Sequence, residues 1–301
     1  MDLIIEGRPI SAQCGESLLT LIRRLGLDTD DLRTRPLAAA VAGEIFTLNY
    51  IPVRERDAKA TQRVTLRRAM RAAGGKVELL RYGSANGNRV YERTMLFVFL
   101  YAMRELFPHT RVQVNYAIGA GLYINVVRDT PLTCEEVGRI QCAMRRIVEA
   151  DYPLERKRID IDDAIDFFSN DGQLDKVRLL RYRQFSYFDV YRLGDYMDYF
   201  YGEMAPSTGY ARVFDLQAHE PGLFLLRPSE SDPNTPAAHV SLPRLWSVFS
   251  ESDEWGRLMR CNAVADLNDM VLNDDVRSLI RVNEALHEKR FASLADEIVQ
   301  R

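Results

Sequence analysis

The chain has 301 residues, 47% hydrophobic and 28% charged, which suits a soluble globular protein of about two domains, with a third small unit possible. A formal net charge of −3 excludes a global basic field that would draw in nucleic acid. No apolar run approaches the roughly 18 residues of a membrane-spanning helix, and no signal peptide opens the chain, because Asp2 and Glu6 flank only Leu3-Ile4-Ile5. Cys14, Cys134, Cys142 and Cys261 form no Cys-x-x-Cys pair. Cys134 and Cys142 share one predicted helix and stand about 12 Å apart along its axis, too far to be bridged. The four read as free thiols, so a soluble cytoplasmic protein without membrane contact is expected.

Residues 1 to about 71 read strand, helix, strand, strand, strand. Leu3-Ile4-Ile5 is a short strand, and Gly7-Arg8-Pro9 is a turn. Leu18, Leu21, Ile22 and Leu25 keep helical spacing until Gly26. Ala39 to Leu48 reads as a hairpin around Gly43, and Val64-Thr65-Leu66 as a final strand. The basic run Arg63, Arg67, Arg68 and Arg71 suits either a phosphate contact or a solvated strand edge. Ala72-Ala73-Gly74-Gly75 reads as a linker. This order, with Pro36 to Glu44, resembles the TGS domain, a small β-grasp module at the front of threonyl-tRNA synthetases, some GTPases and stringent-response enzymes.

A second domain is expected over 76–236. Val77 to Leu80 suits its first strand, followed by a loop through Gly83 to Asn88. Met95, Leu96, Phe99, Leu100, Met103 and Leu106 recur at three- and four-residue steps, predicting a helix from Tyr91 that Pro108 stops. Gly119 and Gly121 turn between two strands, which hairpin geometry explains better than phosphate binding. Thr133 with Glu136 is a capping box that opens a helix to about Ala150. Asp160, Asp162, Asp163 and Asp166 invite a metal reading, but acidic residues at a helix N-terminus are the usual electrostatic preference. The aromatic segment from Tyr182 to Tyr210 could stack bases, or simply pack as a half-buried strand. Phe200 to Tyr210, carrying Pro206-Ser207-Thr208-Gly209, reads as a loop lining a cleft.

That loop and the helix before Pro108 resemble the editing-type second domain of threonyl-tRNA synthetase, also found beside alanyl-tRNA synthetase catalytic domains. In that family the helix bears two histidines four residues apart, and the loop bears a cysteine and a histidine four apart. Lining up Leu106-Phe107-Pro108 and Pro206 to Gly209 puts Arg93 and Phe97 at the helix histidines and Phe200 and Met204 at the loop pair. Two rings offer no lone pair, and Arg93 is permanently charged. A divalent ion about 4 Å from it would be repelled by about 8 kcal/mol at an effective dielectric near 20. That opposes much of the roughly 10 kcal/mol or more a good zinc site gains. No metal and no activated water are expected there. Two occupancies stay open: a core filled by Phe97, Phe200 and Met204, or a ligand cleft of Arg93, Phe97, Phe200 and Met204 with hydroxyl donors from Ser207 and Thr208.

The last segment, 237–301, is predicted helical. Asp266-Leu267-Asn268 and Asn283 to Lys289 resemble the connector of bacterial uridine kinase-like nucleoside kinases, which carry a TGS domain and a synthetase-like domain in front. The resemblance implies an α+β protein of three parts: a TGS-like β-grasp module (1–71), an editing-like domain with a degenerate site (76–236) and a helical connector (237–301). It also implies a P-loop kinase domain in cis following Arg301, with ATP and Mg²⁺ as its cofactors. This chain has no Gly-x-x-x-x-Gly-Lys-[Ser/Thr], so no cofactor and no phosphoryl transfer are expected of it alone. His109, His219, His239 and His287 are scattered, and no nucleophile elbow is present.

Three functions follow. The first is a non-catalytic regulatory or ligand-binding half of a nucleoside kinase. The second is an RNA- or nucleotide-binding adaptor using the TGS module, for which Arg145, Arg146, Arg156, Lys157 and Arg158 supply a local basic cluster. The third is a residual metal-free aminoacyl-tRNA deacylase.

Overall fold

The computed structural model describes residues 1–52, 69–70, 72–108 and 110–300. The strand expected at Val64-Thr65-Leu66, the basic run Arg63, Arg67, Arg68 and Arg71, and His109 lie outside the described residues. The chain divides into two units, Met1–Arg158 with Asp189–Ser241, and Ile159–Phe188 with Leu242–Arg301.

The first unit opens with strands β1 (Asp2–Ile5) and β2 (Arg8–Ser11), then helix α1 (Leu18–Arg24), whose first turn is capped by the Ser17 side chain. Strands β3 (Pro36–Val41), β4 (Glu44–Phe46) and β5 (Lys76–Arg81) complete a sheet of order β2-β1-β5-β3-β4. Strand β5 runs parallel to β1 and antiparallel to β3, the mixed sheet of a β-grasp. Leu3, Ile5, Val77 and Leu79 alternate inward to meet Leu18, Leu21 and Ile22 of α1. The segment expected to start the second domain is thus the central strand of the first sheet. Ala72 to Gly75 accordingly leads into that strand, with the Gly75 N–H on the Met70 carbonyl (2.9 Å).

Helix α2 (Ala85–Leu106) begins six residues before the expected start, because Ser84 caps it by accepting the Gly87 N–H. The antiparallel pair β6 (Arg111–Ile118) and β7 (Gly121–Val127) leads to helix α3 (Cys134–Glu149), opened by the Thr133–Glu136 capping box. Strands β8 (Glu155–Asp160), β9 (Tyr187–Leu193) and β10 (Tyr196–Asp198) form a three-stranded sheet of order β10-β9-β8. A short 3₁₀ turn at Thr208–Tyr210 precedes β11 (Asp215–His219) and β12 (Gly222–Leu226), which join the sheet β11-β12-β7-β6. Leu122, Ile124 and Val126 on β7, with Leu223 and Leu225 on β12, share one core with α2 and α3. Tyr91 of α2 closes that core: its hydroxyl donates to the Val213 carbonyl (2.9 Å) and accepts the Val213 N–H (2.8 Å).

The second unit is helical: α4 (Ile161–Asn170), α5 (Leu174–Leu180), α6 (Pro243–Leu258), α7 (Val264–Leu272) and α8 (Val276–Val299). Asp160 caps α4 through the Asp162 N–H (3.0 Å), a structural use for that acidic run. Asp266 accepts the N–H groups of Asn262 (3.0 Å) and Ala263 (2.9 Å) and pairs with Arg178 (2.9 Å). Asp269 binds Arg178 and the Tyr182 hydroxyl. Residues Ile159–Phe188 therefore group with the C-terminal helices, although the sequence places them inside 76–236. All four cysteines are free, and among the described residues no helix is long and apolar enough to cross a membrane.

Replacing Tyr91 by Phe removes both partners of the Val213 backbone at a largely buried site. Urea unfolding should register a loss of about 1–3 kcal/mol. An unchanged midpoint would contradict this role for the hydroxyl.

Candidate functional site

Arg93 and Phe97 lie four residues apart on α2, so they share a helix face, and the Phe200–Tyr210 loop closes against it. Phe97 is fully buried. Its ring meets Phe200 edge-on with centroids 6.0 Å apart, and Tyr196 and Tyr191 at 5.6 and 6.3 Å. Met204 is also buried, at 1% exposure. The arrangement is a packed aromatic cluster, not a cavity wall. A zinc ion does not fit this donor set, in which the Met204 thioether is the one weak donor among rings and a guanidinium.

The loop is fastened by its backbone. Arg93 Nη1 donates to the Glu203 carbonyl (2.7 Å), and the Tyr191 hydroxyl accepts the Met204 N–H (3.1 Å). Thr94 Oγ1 accepts the Ala205 N–H (2.9 Å) and donates to Val90 O (2.8 Å) one turn back on α2. Gly202 adopts φ +118°, and a Cβ there would stand 2.7 Å from the Arg93 guanidinium carbon. A side chain here would be strained at this φ and would push the guanidinium aside.

Ser207 and Thr208, expected as ligand donors, are used internally. Ser207 donates to the Asp151 carboxylate. Buried Thr208 donates to Ile147 O (2.8 Å) and accepts the Tyr152 N–H (2.9 Å). Asp151 also accepts the Gly209 N–H (3.0 Å), and a Cβ on Gly209 would fall 2.1 Å from that carboxylate oxygen.

Beside the rings runs a charged chain that sequence reading missed. Arg158 and Arg156 both bind Asp189 (2.8 and 2.9 Å), and Arg156 continues to Glu203 (2.7 Å). Glu203 also accepts the Tyr191 hydroxyl (3.2 Å). Burial raises the Asp189 pKa, but its bonds to Arg158 and Arg156 outweigh that, leaving the carboxyl below its ordinary value. Burial, with Glu203 adding to it, pushes the Tyr191 phenol well above its ordinary range. Asp198, buried at 4% exposure, accepts the Tyr196 hydroxyl (2.8 Å) and the Tyr199 N–H (2.7 Å). The expected basic cluster is thus divided. Arg156 and Arg158 are neutralised here, Arg146 binds Glu105 (2.6 Å), and Arg145 has no partner among the described residues.

Two measurements follow. Phe97→Ala empties a fully enclosed position and should cost about 3–5 kcal/mol in urea unfolding, whereas a ring lining an open cleft would cost far less. Because the folded Asp189 pKa is depressed, its stabilisation is present above the ordinary value near 3.9 and is lost as pH falls through the folded value. Stability should therefore fall more steeply below about pH 4 in the parent than in Asp189→Asn; parallel profiles would contradict the pairing.

No family model matches the chain. It is 30% identical over 143 residues to the threonine–tRNA ligase of Carboxydothermus hydrogenoformans, covering 47% of this chain and 23% of that protein. The Symbiobacterium thermophilum threonine–tRNA ligase gives 30% over 141 residues, 46% of this chain and 22% of the relative. The Clostridium kluyveri enzyme gives 25% over 211 residues, 70% of this chain and 30% of the relative. The matches thus take in less than a third of the length of these relatives. The α+β architecture agrees with them, and the chain is similar to the N-terminal TGS and editing region of threonyl-tRNA synthetases.

Proposed function

We propose that this chain is a non-hydrolytic recognition region on a threonyl-tRNA-synthetase-like scaffold, one that holds its ligand without cleaving it. The observation that carries this reading is the ring of Phe97, fully buried against Phe200 where the resemblance puts a histidine. Ester hydrolysis needs a positioned base or an activated water. Arg93, Phe97, Phe200 and Met204 offer a guanidinium, two rings and a thioether, none of which takes up a proton near neutral pH. The adjacent carboxylates Asp189 and Glu203 are held by arginines, and a phenol with a raised pKa is a poor source of base at pH 7. The relatives join threonine to tRNA by name, which supports a tRNA-derived or nucleotide ligand for the scaffold. Neither a metal nor a cofactor belongs to this function.

Aminoacyl-tRNA hydrolysis by chelator-free protein is expected to match the buffer rate, and elemental analysis to find no stoichiometric zinc. Saturable hydrolysis that survives repurification, or about one zinc per chain, overturns the reading.

A second reading rests on the connector strings Asp266-Leu267-Asn268 and Asn283 to Lys289. It makes the same region the regulatory front of a uridine kinase-like nucleoside kinase, with ATP and Mg²⁺ used by a following P-loop domain. Sequencing the gene beyond the codon for Arg301 separates the two. An open frame with Gly-x-x-x-x-Gly-Lys-[Ser/Thr] selects the kinase reading, and a stop codon or any other continuation removes it.

A further inference from the structure

We propose that the pocket bounded by the end of α3, the Gly209–Phe214 segment and the Asn234–Pro236 turn binds a ribonucleotide, with Arg145 and Arg212 holding its phosphate. The pocket measures about 680 Å³, within the size range of small-molecule sites. It is separate from the closed ring cluster, so binding there and hydrolysis elsewhere are read by different assays.

The lining chemistry selects the ligand class. Arg145 lies four residues before the end of α3 and has no partner among the described residues. Arg212 is pre-oriented, with Nε on the Gly209 carbonyl (2.9 Å) and Nη1 on Asp30 (2.8 Å), which leaves its other terminal nitrogen available. Two guanidinia lining one pocket suit phosphate oxygens. Glu149 and Asp151 also line the space, so the lining carries no net charge. That balance disfavours a bare inorganic anion and favours a ligand joining phosphate to hydroxyl donors. Carboxylates accept ribose hydroxyls in the way an acidic residue holds the ribose of a dinucleotide. Asp151 is fixed for this by the Ser207 hydroxyl and the Gly209 N–H on one carboxylate oxygen, while its other oxygen has no bond among the described residues. Val213 and Pro236 supply the apolar wall against which a base can lie. Phosphate, sugar and base thus each meet a matching part of one preformed rim.

The ligand's source is either a free mononucleotide or the terminal nucleotide of an RNA strand, and calorimetry can separate them. The titrants are AMP, CMP, GMP and UMP, their 2′-deoxy forms, and a short single-stranded RNA with a free 3′ end. Saturable binding by mononucleotides assigns the free nucleotide, and binding by RNA alone assigns the strand end. In either case Arg145→Ala should raise Kd about tenfold or more, the loss of one charge-assisted hydrogen bond. Glu149→Gln and the 2′-deoxy ligands should weaken binding, while Arg146→Ala, whose guanidinium is paired with Glu105, should leave it unchanged. Circular dichroism and thermal melting establish that each variant is folded. No binding by any titrant at millimolar concentration, or a Kd indifferent to Arg145→Ala in a folded variant, overturns the proposal.

Discussion

A loop that runs through a protein interior must find a partner for every backbone donor and acceptor, and that constraint organises the first unit. The segment from Gly202 to Tyr210 meets it with side chains from elsewhere and with a few backbone groups. Arg93 takes the Glu203 carbonyl, Tyr191 the Met204 N–H, and Thr94 the Ala205 N–H. Asn49 of the β-grasp module donates to the Pro206 carbonyl (2.7 Å) and to Leu154 O (3.2 Å). Thr208 N–H reaches Tyr152 O (2.9 Å), and Asp151 takes Ser207 and Gly209. Each such bond contributes only about 1 kcal/mol when made, but leaving one of these groups buried and unpaired costs about 1–3 kcal/mol. The loop's position is therefore set by its unpaired alternatives more than by any single contact.

Seen this way, Arg93 is as much a backbone partner as a surface charge. Its guanidinium lies against Gly202 and serves the Glu203 carbonyl. Phe97 and Phe200 bring no polar group that would itself need a partner. Enclosing an aromatic ring contributes about 1.5–3 kcal/mol, and the edge-on contact adds roughly 0.5–1.5 kcal/mol. The three side chains agree with one another: Arg93 satisfies a backbone carbonyl, and the two rings impose no polar requirement.

Much of this was legible in the sequence where local chemistry was strong. The Thr133–Glu136 box marked the start of α3, the periodicity from Met95 to Leu106 marked α2, and Pro206 marked the loop. The start of α2 was not, because Asn86-Gly87-Asn88 has turn composition while Ser84, a single cap, decides the conformation. Val77 to Leu80 reads as the first strand of the second domain for a similar reason, whereas β5 pairs within the first sheet. A glycine pair before a strand looks like a linker, and only pairing with both β1 and β3 shows where the strand belongs. The Arg158–Asp189–Arg156–Glu203 chain left no pattern at all, since its members come from three stretches far apart in sequence. In a one-dimensional reading Arg156 and Arg158 look like two more charges of a basic patch. Their neutralisation is a tertiary fact.

The β-grasp module extends the same logic to the far end of the loop. Arg35 is buried beneath Tyr210, its guanidinium carbon 3.8 Å from the ring centre, with Asp28 3.4 Å away. Burial and the Asp28 charge push the Tyr210 phenol up to about 12, so it stays a neutral donor to Asp28 (3.3 Å) through the physiological range. Arg212 reaches Asp30, and Asn234 reaches Asp31 (2.8 Å), so residues 28–31 brace both the loop exit and the Asn234–Pro236 turn. The two halves of the loop consequently do different things. Its first half, Phe200 to Ala205, packs Phe200 against the buried Phe97 ring. Its second half, Ser207 to Tyr210, is pinned by carboxylates from α3's exit and the β-grasp, and Gly209 borders an open pocket. Thr208, Gly209 and Tyr210 are buried, so this half is fixed by enclosed hydrogen bonds even where it lines the pocket. The same loop thus packs a ring at one end and lines a pocket at the other.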